Sequence, residues 1–226
     1  MGSLFNHITS RHFAAQLNRE DSSERLELLE ALEARGDAEL LVKKALALLS
    51  DEDDRVRLRA SEAIAGVGTK EAAEATIDAW DTFDEVALDA AVDALAGIGR
   101  PVVVATRKQL AHSDGAVRAA AATVLGRVDA RTVVPDLARG LGDPDARVVR
   151  ASARALGRLK AERCLEDLSV VYRRKPECRA AVVEALESIG TPAAVRRLTA
   201  ALDDPDEAIR HRAEAAIARL RSDQTS

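Results

Sequence analysis

Ile64, Leu95, Leu125, Leu156, Leu186 and Ile217 follow one another at steps of 31, 30, 31, 30 and 31 residues. A step this steady means that the chain is a series of like units rather than one irregular core. The unit is clearest from Asp143 to Leu159, DPDARVVRASARALGRL. Val148, Ser152 and Leu156 recur at i, i+4 and i+8, with Ala151 and Ala155 at i+3 and i+7, so one helical face is small or apolar. Arg147, Arg150, Arg154 and Arg158 take the opposite face. Asp143 is expected to cap this helix, with Pro144 at the first helical position, where its missing N–H costs nothing.

The same layout can be followed through the chain. Eight residues before most anchors stands another apolar residue, Val56, Val117, Val148, Cys178 or Ile209, whereas the interval from Val86 to Leu95 is one longer. Gly68, Gly99 and Gly190 follow the anchors and are expected to supply the left-handed backbone that ends a helix, with Gly66, Gly97, Gly126 and Gly157 close by. A second helix comes next. Its inward slots, twelve and sixteen residues past the anchor, hold Thr76 and Trp80, Leu137 and Leu141, Leu168 and Tyr172, and Leu198 and Leu202. The unit from Asp81 runs one short and puts Leu110 last. Trp80 and Tyr172 share slots filled elsewhere by Leu, which makes them core residues. Ser22 to Ala34 and Asp37 to Leu49 read as a longer, slightly out-of-register version of the unit, broken at Arg35-Gly36-Asp37. Two short helices per 30 to 31 residues imply stacked helix pairs.

Through DEDDRVRLRASEAIAGVG, DPDARVVRASARALGRL and DPDEAIRHRAEAAIARL, the chain resembles HEAT-like repeat proteins of the phycobilin-lyase (PBS lyase) type, from about Leu26 to Leu220. The resemblance implies an all-α fold, a right-handed α-α superhelix (HEAT-like solenoid) of about six helix pairs with capping helices. It also implies that Asp51 with Arg57, and Asp204 with Arg210, belong to a series of ion pairs tying neighbouring repeats. Two units depart from the pattern: Asp81 to Ala111, and Lys175 to Asp203, whose KPEC start lacks the usual Asp.

A chain that is 47% hydrophobic but only 2% aromatic must build a thin, Ala-rich core. Its 31% charged residues are interrupted by regular Leu, Val and Ile, which argues against disorder. A net charge of −5 gives no general attraction to nucleic acid or an anionic membrane. Residues 1–21 are expected to form an N-terminal capping helix through Leu4, Phe5, Ile8, Phe13 and Leu17, with a partner-binding helix as the rival reading. Residues 22–221 are expected as one solenoid domain and 222–226 as a disordered tail. Met1 to Glu20 lacks a secretory apolar core, and no run is long enough to span a bilayer, so the expectation is a cytoplasmic monomer. Cys164 and Cys178 have neither the number nor the spacing of a disulfide framework or zinc site, and Cys178 falls at a core position.

Catalytic, metal and cofactor-binding residues are all expected to be absent. His7, His12, His112 and His211 lack the following Glu that iron hydroxylases of the HEAT class use, and no P-loop, GxGxxG or nucleophile elbow occurs. Attention therefore falls on the outward slots of the second helices. These hold Lys43 and Lys44, Glu74 and Asp78, Lys108, Asp136 and Arg139, Glu166 and Asp167, and Arg196 and Arg197. The order is basic at the ends and mostly acidic between, which fits a protein partner better than a phosphate backbone. The expected function is a non-catalytic protein-protein interaction scaffold or adaptor that binds a protein partner on its concave second-helix surface, where these slots face solvent. The alternative is an enzyme or enzyme subunit of the chromophore-lyase type acting on a protein-bound prosthetic group.

Overall fold

The computed structural model describes residues 21–223. The expected capping helix within 1–21 lies outside the described residues, apart from Asp21. Thirteen α-helices are present among the described residues, and no strand. Six consecutive pairs are α1 (Ser22–Arg35) with α2 (Ala38–Leu48), α3 (Asp54–Val67) with α4 (Lys70–Asp78), α5 (Glu85–Ile98) with α6 (Val103–Gln109), α7 (Gly115–Arg127) with α8 (Val134–Gly140), α9 (Ala146–Arg158) with α10 (Leu165–Arg174), and α11 (Arg179–Ile189) with α12 (Pro192–Thr199). A single helix, α13 (Glu207–Asp223), follows and runs into the 222–226 segment expected as a tail.

The anchors form the core. Ile64, Leu95, Leu125 and Leu156 are wholly buried, and Leu186 and Ile217 nearly so. Leu32 fills the equivalent place in α1, 32 residues before Ile64. The eighth position before each anchor is buried at Val56, Val117, Val148, Cys178 and Ile209. In α5 that place belongs to Ala87, and Val86, one residue earlier, points to solvent. The long interval in the sequence therefore reflected a wrong choice of residue, because Ala can fill a slot that elsewhere takes Val. Trp80 is core as expected, while Tyr172, Leu110 and Leu202 are half-buried.

The first helices α3 and α9, and the final helix α13, begin two residues later than the first Asp of the Asp-x-Asp before each suggests. Asp145, not Asp143, caps α9 by accepting from the Arg147 N–H at 2.8 Å, so Pro144 precedes the helix. Asp143 instead accepts from the Asp145 N–H at 2.8 Å, closing a short turn that frees its other oxygen. Asp51 with Asp53, and Asp204 with Asp206, repeat this arrangement at 2.9 Å each.

Helix exits share one backbone solution with mixed side chains. The residue four past the anchor has positive φ throughout, as Gly36, Gly68, Gly99, Asp129, Lys160 and Gly190. Gly126 and Gly157 have a different role from helix ending. A Cβ on Gly126 would meet the Ala155 Cα at 2.6 Å, and one on Gly157 the Ala185 Cα at 2.6 Å. These glycines let first helices of consecutive pairs touch backbone to backbone.

The described residues fall into two compact units that divide after Thr106, within α6. The first contains α1 to α5 and the second α7 to α13.

Candidate functional site

Second helices are positioned by the loops between pairs, and those loops are held by arginines. Arg118 donates to Asp143 through Nε and a terminal nitrogen, both at 2.9 Å, and its remaining nitrogen reaches the His112 and Ser113 carbonyls at 2.8 Å each. Arg25 grips Asp51 at 2.8 and 3.0 Å, with both side chains buried. Arg57 and Arg210 do not pair with the carboxylates six residues before them. They donate to the carbonyls of Asp51 and Asp204, at 2.7 and 2.8 Å. The inter-repeat ion pairs are thus real, but the Arg lies 25 or 26 residues before its Asp. At Val149 the Arg is missing, and 25 residues on Arg174 stands where an Asp would be, so both partners are lost together. There Lys175 donates to the Asp143 carbonyl at 2.7 Å.

The last of these junctions includes Tyr172. Its hydroxyl donates to Asp204, whose other oxygen meets Arg179 at 3.4 Å, and Arg179 lies over the Tyr172 ring at 5.4 Å from its centroid. Burial, then the bond to Asp204, pushes the Tyr172 phenol well above its usual value. Burial also works to raise Asp204, but the Tyr172 hydroxyl, the Asp206 N–H and the nearby arginines outweigh it and leave the carboxyl lowered. The thiols of Cys164 and Cys178 are buried, and burial pushes both upward, which makes them poor nucleophiles.

On the outward face of the second helices, neighbouring charges change the sequence-level profile. In the first unit Lys43, Lys44, Glu74 and Asp78 lie on α2 and α4, and Glu74 pairs with Lys70 at 2.9 Å. In the second unit Asp136 is held between Arg107, at 2.7 Å, and Arg139. Glu166 is held between Arg173 and Arg197, each at 3.3 Å. Arg197 also donates to the Ser169 hydroxyl at 3.0 Å, joining α12 to α10. Of the acidic centre expected between basic ends, Asp136 and Glu166 are thus countered by arginines one or two turns away or on the adjacent second helix, and Glu74 by Lys70. Asp167, Lys108 and Arg196 are exposed. Arg107 and Arg173 stand outside the two or three slots per helix that the repeat register marks as outward, so spacing alone does not point to them.

The mild net charge also hides an asymmetry. Residues 1–106 carry 21 Asp and Glu against 11 Lys and Arg, net −10, whereas residues 107–226 carry 17 against 22, net +5. Counting charge by unit would have revealed it.

Among the described residues, no group of His, Cys, Asp and Glu is placed to hold a metal ion, and no helix is long and apolar enough to cross a membrane.

Tandem helix pairs with these junctions define a helical-repeat protein. Residues 103–177 match the family HEAT repeats, and residues 179–204 match PBS lyase HEAT-like repeat. Residues 103–177 and 179–204 thus carry HEAT-like repeats, and the fold of the described residues is of the same helical-repeat kind. It is similar in structure to the complex of CpcE and CpcF of phycocyanin lyase from Nostoc sp. PCC7120, with a TM-score of 0.60 at 21% identity, over 66% of this chain and 99% of that one. A crystal structure of an engineered protein gives a TM-score of 0.50 at 18% identity, over 80% of this chain and 98% of that one. No curated protein matches the sequence. At these identities the likeness describes the fold.

Proposed function

We propose that this helical-repeat protein is a non-catalytic scaffold that binds a protein partner on the outward face of its second helices. The observation that carries this reading is the way charged side chains bridge adjacent second helices in the second unit. Arg197 spans from α12 to Glu166 on α10, and Arg107 from α6 to Asp136 on α8. Such bridges make several short helices present one ordered polar face, and ordered side chains lose less entropy on binding than free ones. Lys108 and Arg196 are the residues to test, because neither is used in these bridges. Lys108→Glu with Arg196→Glu should weaken capture of a native protein partner, most at low salt, with helicity unchanged. Retention of every captured protein would move the partner to another face.

A second reading has one specific support, the match of residues 179–204 to the PBS lyase repeat. On it, the chain would act as an enzyme or enzyme subunit on a protein-bound prosthetic group. Co-expression with a tetrapyrrole-producing system should then yield a coloured, pigment-retaining preparation; a colourless one argues for the scaffold.

A further inference from the structure

The second-helix layer of the second unit carries more positive charge than its own carboxylates can neutralise. From Arg107 to Arg197 its helices hold seven Lys and Arg against three Asp and Glu. The two bridging carboxylates are each shared by two guanidinium groups, one per oxygen: Asp136 by Arg107 and Arg139, Glu166 by Arg173 and Arg197. A carboxylate carries one negative charge, so each cluster keeps a net positive charge. A guanidinium has five N–H donors in a planar fork. Arg139 and Arg173 each use a terminal nitrogen on these carboxylates while their side chains stay 77% and 62% exposed. Each carboxylate takes one nitrogen of each of these two forks, which leaves further N–H donors on the same guanidinium for a partner.

We propose that this layer is a receptor for an acidic protein segment, whose Asp and Glu side chains take the donors that Asp136 and Glu166 leave over. The proposal rests on the scaffold reading and names the chemistry of its partner. Carboxylates suit the site because the arginines already hold carboxylates there, and a protein segment can set neutral residues opposite Asp136, Glu166 and Asp167. A nucleic-acid backbone cannot skip charges in this way, since duplex DNA carries one roughly every 1.7 Å. Nor do these second helices offer an exposed aromatic platform for bases: Tyr172 is half-buried, with Arg179 over its ring.

The test uses the full chain and a short fluorescein-labelled Glu-Gly repeat peptide, followed by anisotropy. A Lys-Gly repeat and a mixed-sequence DNA duplex of similar length serve as counterparts. The Glu-Gly peptide should bind at low salt and weaken as salt rises, and the Lys-Gly peptide should not bind this unit. Arg139→Gln with Arg173→Gln should weaken the Glu-Gly peptide about tenfold or more, with circular dichroism unchanged. Arg154→Gln with Arg158→Gln, exposed on the first helix α9, should leave its affinity unchanged. Failure to bind the Glu-Gly peptide, equal binding by the Arg139 and Arg173 variant, or tighter binding of the duplex each overturns the proposal. If native-partner capture still depends on Lys108 and Arg196 while the Glu-Gly result is negative, the scaffold stands and only its acidic partner falls.

Discussion

The Arg25–Asp51 junction in the first unit and the Arg118–Asp143 junction in the second pair the same residue types but differ in geometry and surroundings. Arg118 donates two hydrogen bonds to Asp143, both at 2.9 Å, whereas Arg25 donates one to Asp51 at 3.0 Å and sets its Nε 2.8 Å from the other oxygen as an ion pair. The first pair is sealed, with side-chain exposures of 3% and 1%, whereas the second keeps 14% and 13%. Arg118 also serves two carbonyls. The difference shows that a repeated motif does not have a repeated energy. A sealed pair is costly to break because removing one partner strands the other charge away from water. A partly wet pair lets water replace the missing partner.

Asp51→Ala should therefore cost about 3–5 kcal/mol by taking a buried carboxylate away from the buried Arg25. Asp143→Ala should cost less, about 1–3 kcal/mol. Urea unfolding of the two variants compares the junctions directly, and equal losses would show that burial does not set the order. Acid separates the second junction by another route. The Arg118 hydrogen bond holds the Asp143 carboxyl below its usual value, and Arg147 holds Asp145 down to about 2. A lowered folded-state value means stability that is present above the unfolded value of about 3.9 and is lost as pH falls toward about 2. Thermal melts across that window should show this loss, and Arg118→Gln should reduce it.

The repeat was legible because anchor burial depends only on apolar spacing, which a single chain displays at Leu95, Leu125 and Leu156 alike. The junctions were legible only as residue types. The sequence pairs Asp51 with the nearby Arg57, but which Arg reaches a carboxylate depends on how one helix pair stacks on the next. The same limit applies to the candidate surface: Glu166 looks like a free acid until Arg197, 31 residues later, is seen beside it. Asp143 was misplaced as a cap because Asp-Pro-Asp offers two capping residues, and the turn selects the second.

Smaller effects sharpen the contrast within the second unit. Two of its helix exits use Asp129 and Lys160 at φ 51° and 53°, where the first unit, and its own third exit at Gly190, use glycine. A left-handed non-glycine residue costs roughly 1–2 kcal/mol, so Lys160→Gly should stabilise by about 1 kcal/mol, once its bond to the Ser188 carbonyl is lost. A matched change at Gly68, to Lys, should destabilise by a similar amount; calorimetry of both checks the symmetry. Smallest of all should be Arg154→Ala, because its pair with Glu184 is about half exposed on each side and is worth less than about 1 kcal/mol.

Every Arg–Asp junction described above joins residues 25 or 26 apart. Loop closure over so short and uniform a distance costs nearly the same everywhere along the chain. The junctions can therefore form in the order in which the chain emerges from a ribosome, each closing as soon as the next helix pair is available. Arg25 can find Asp51 before any residue of α7 has been made. Arg179 must wait for Asp204, at which point the chain from Arg118 to Asp143 is already complete. Synthesis rate, rather than a search among distant segments, then sets the tempo of folding.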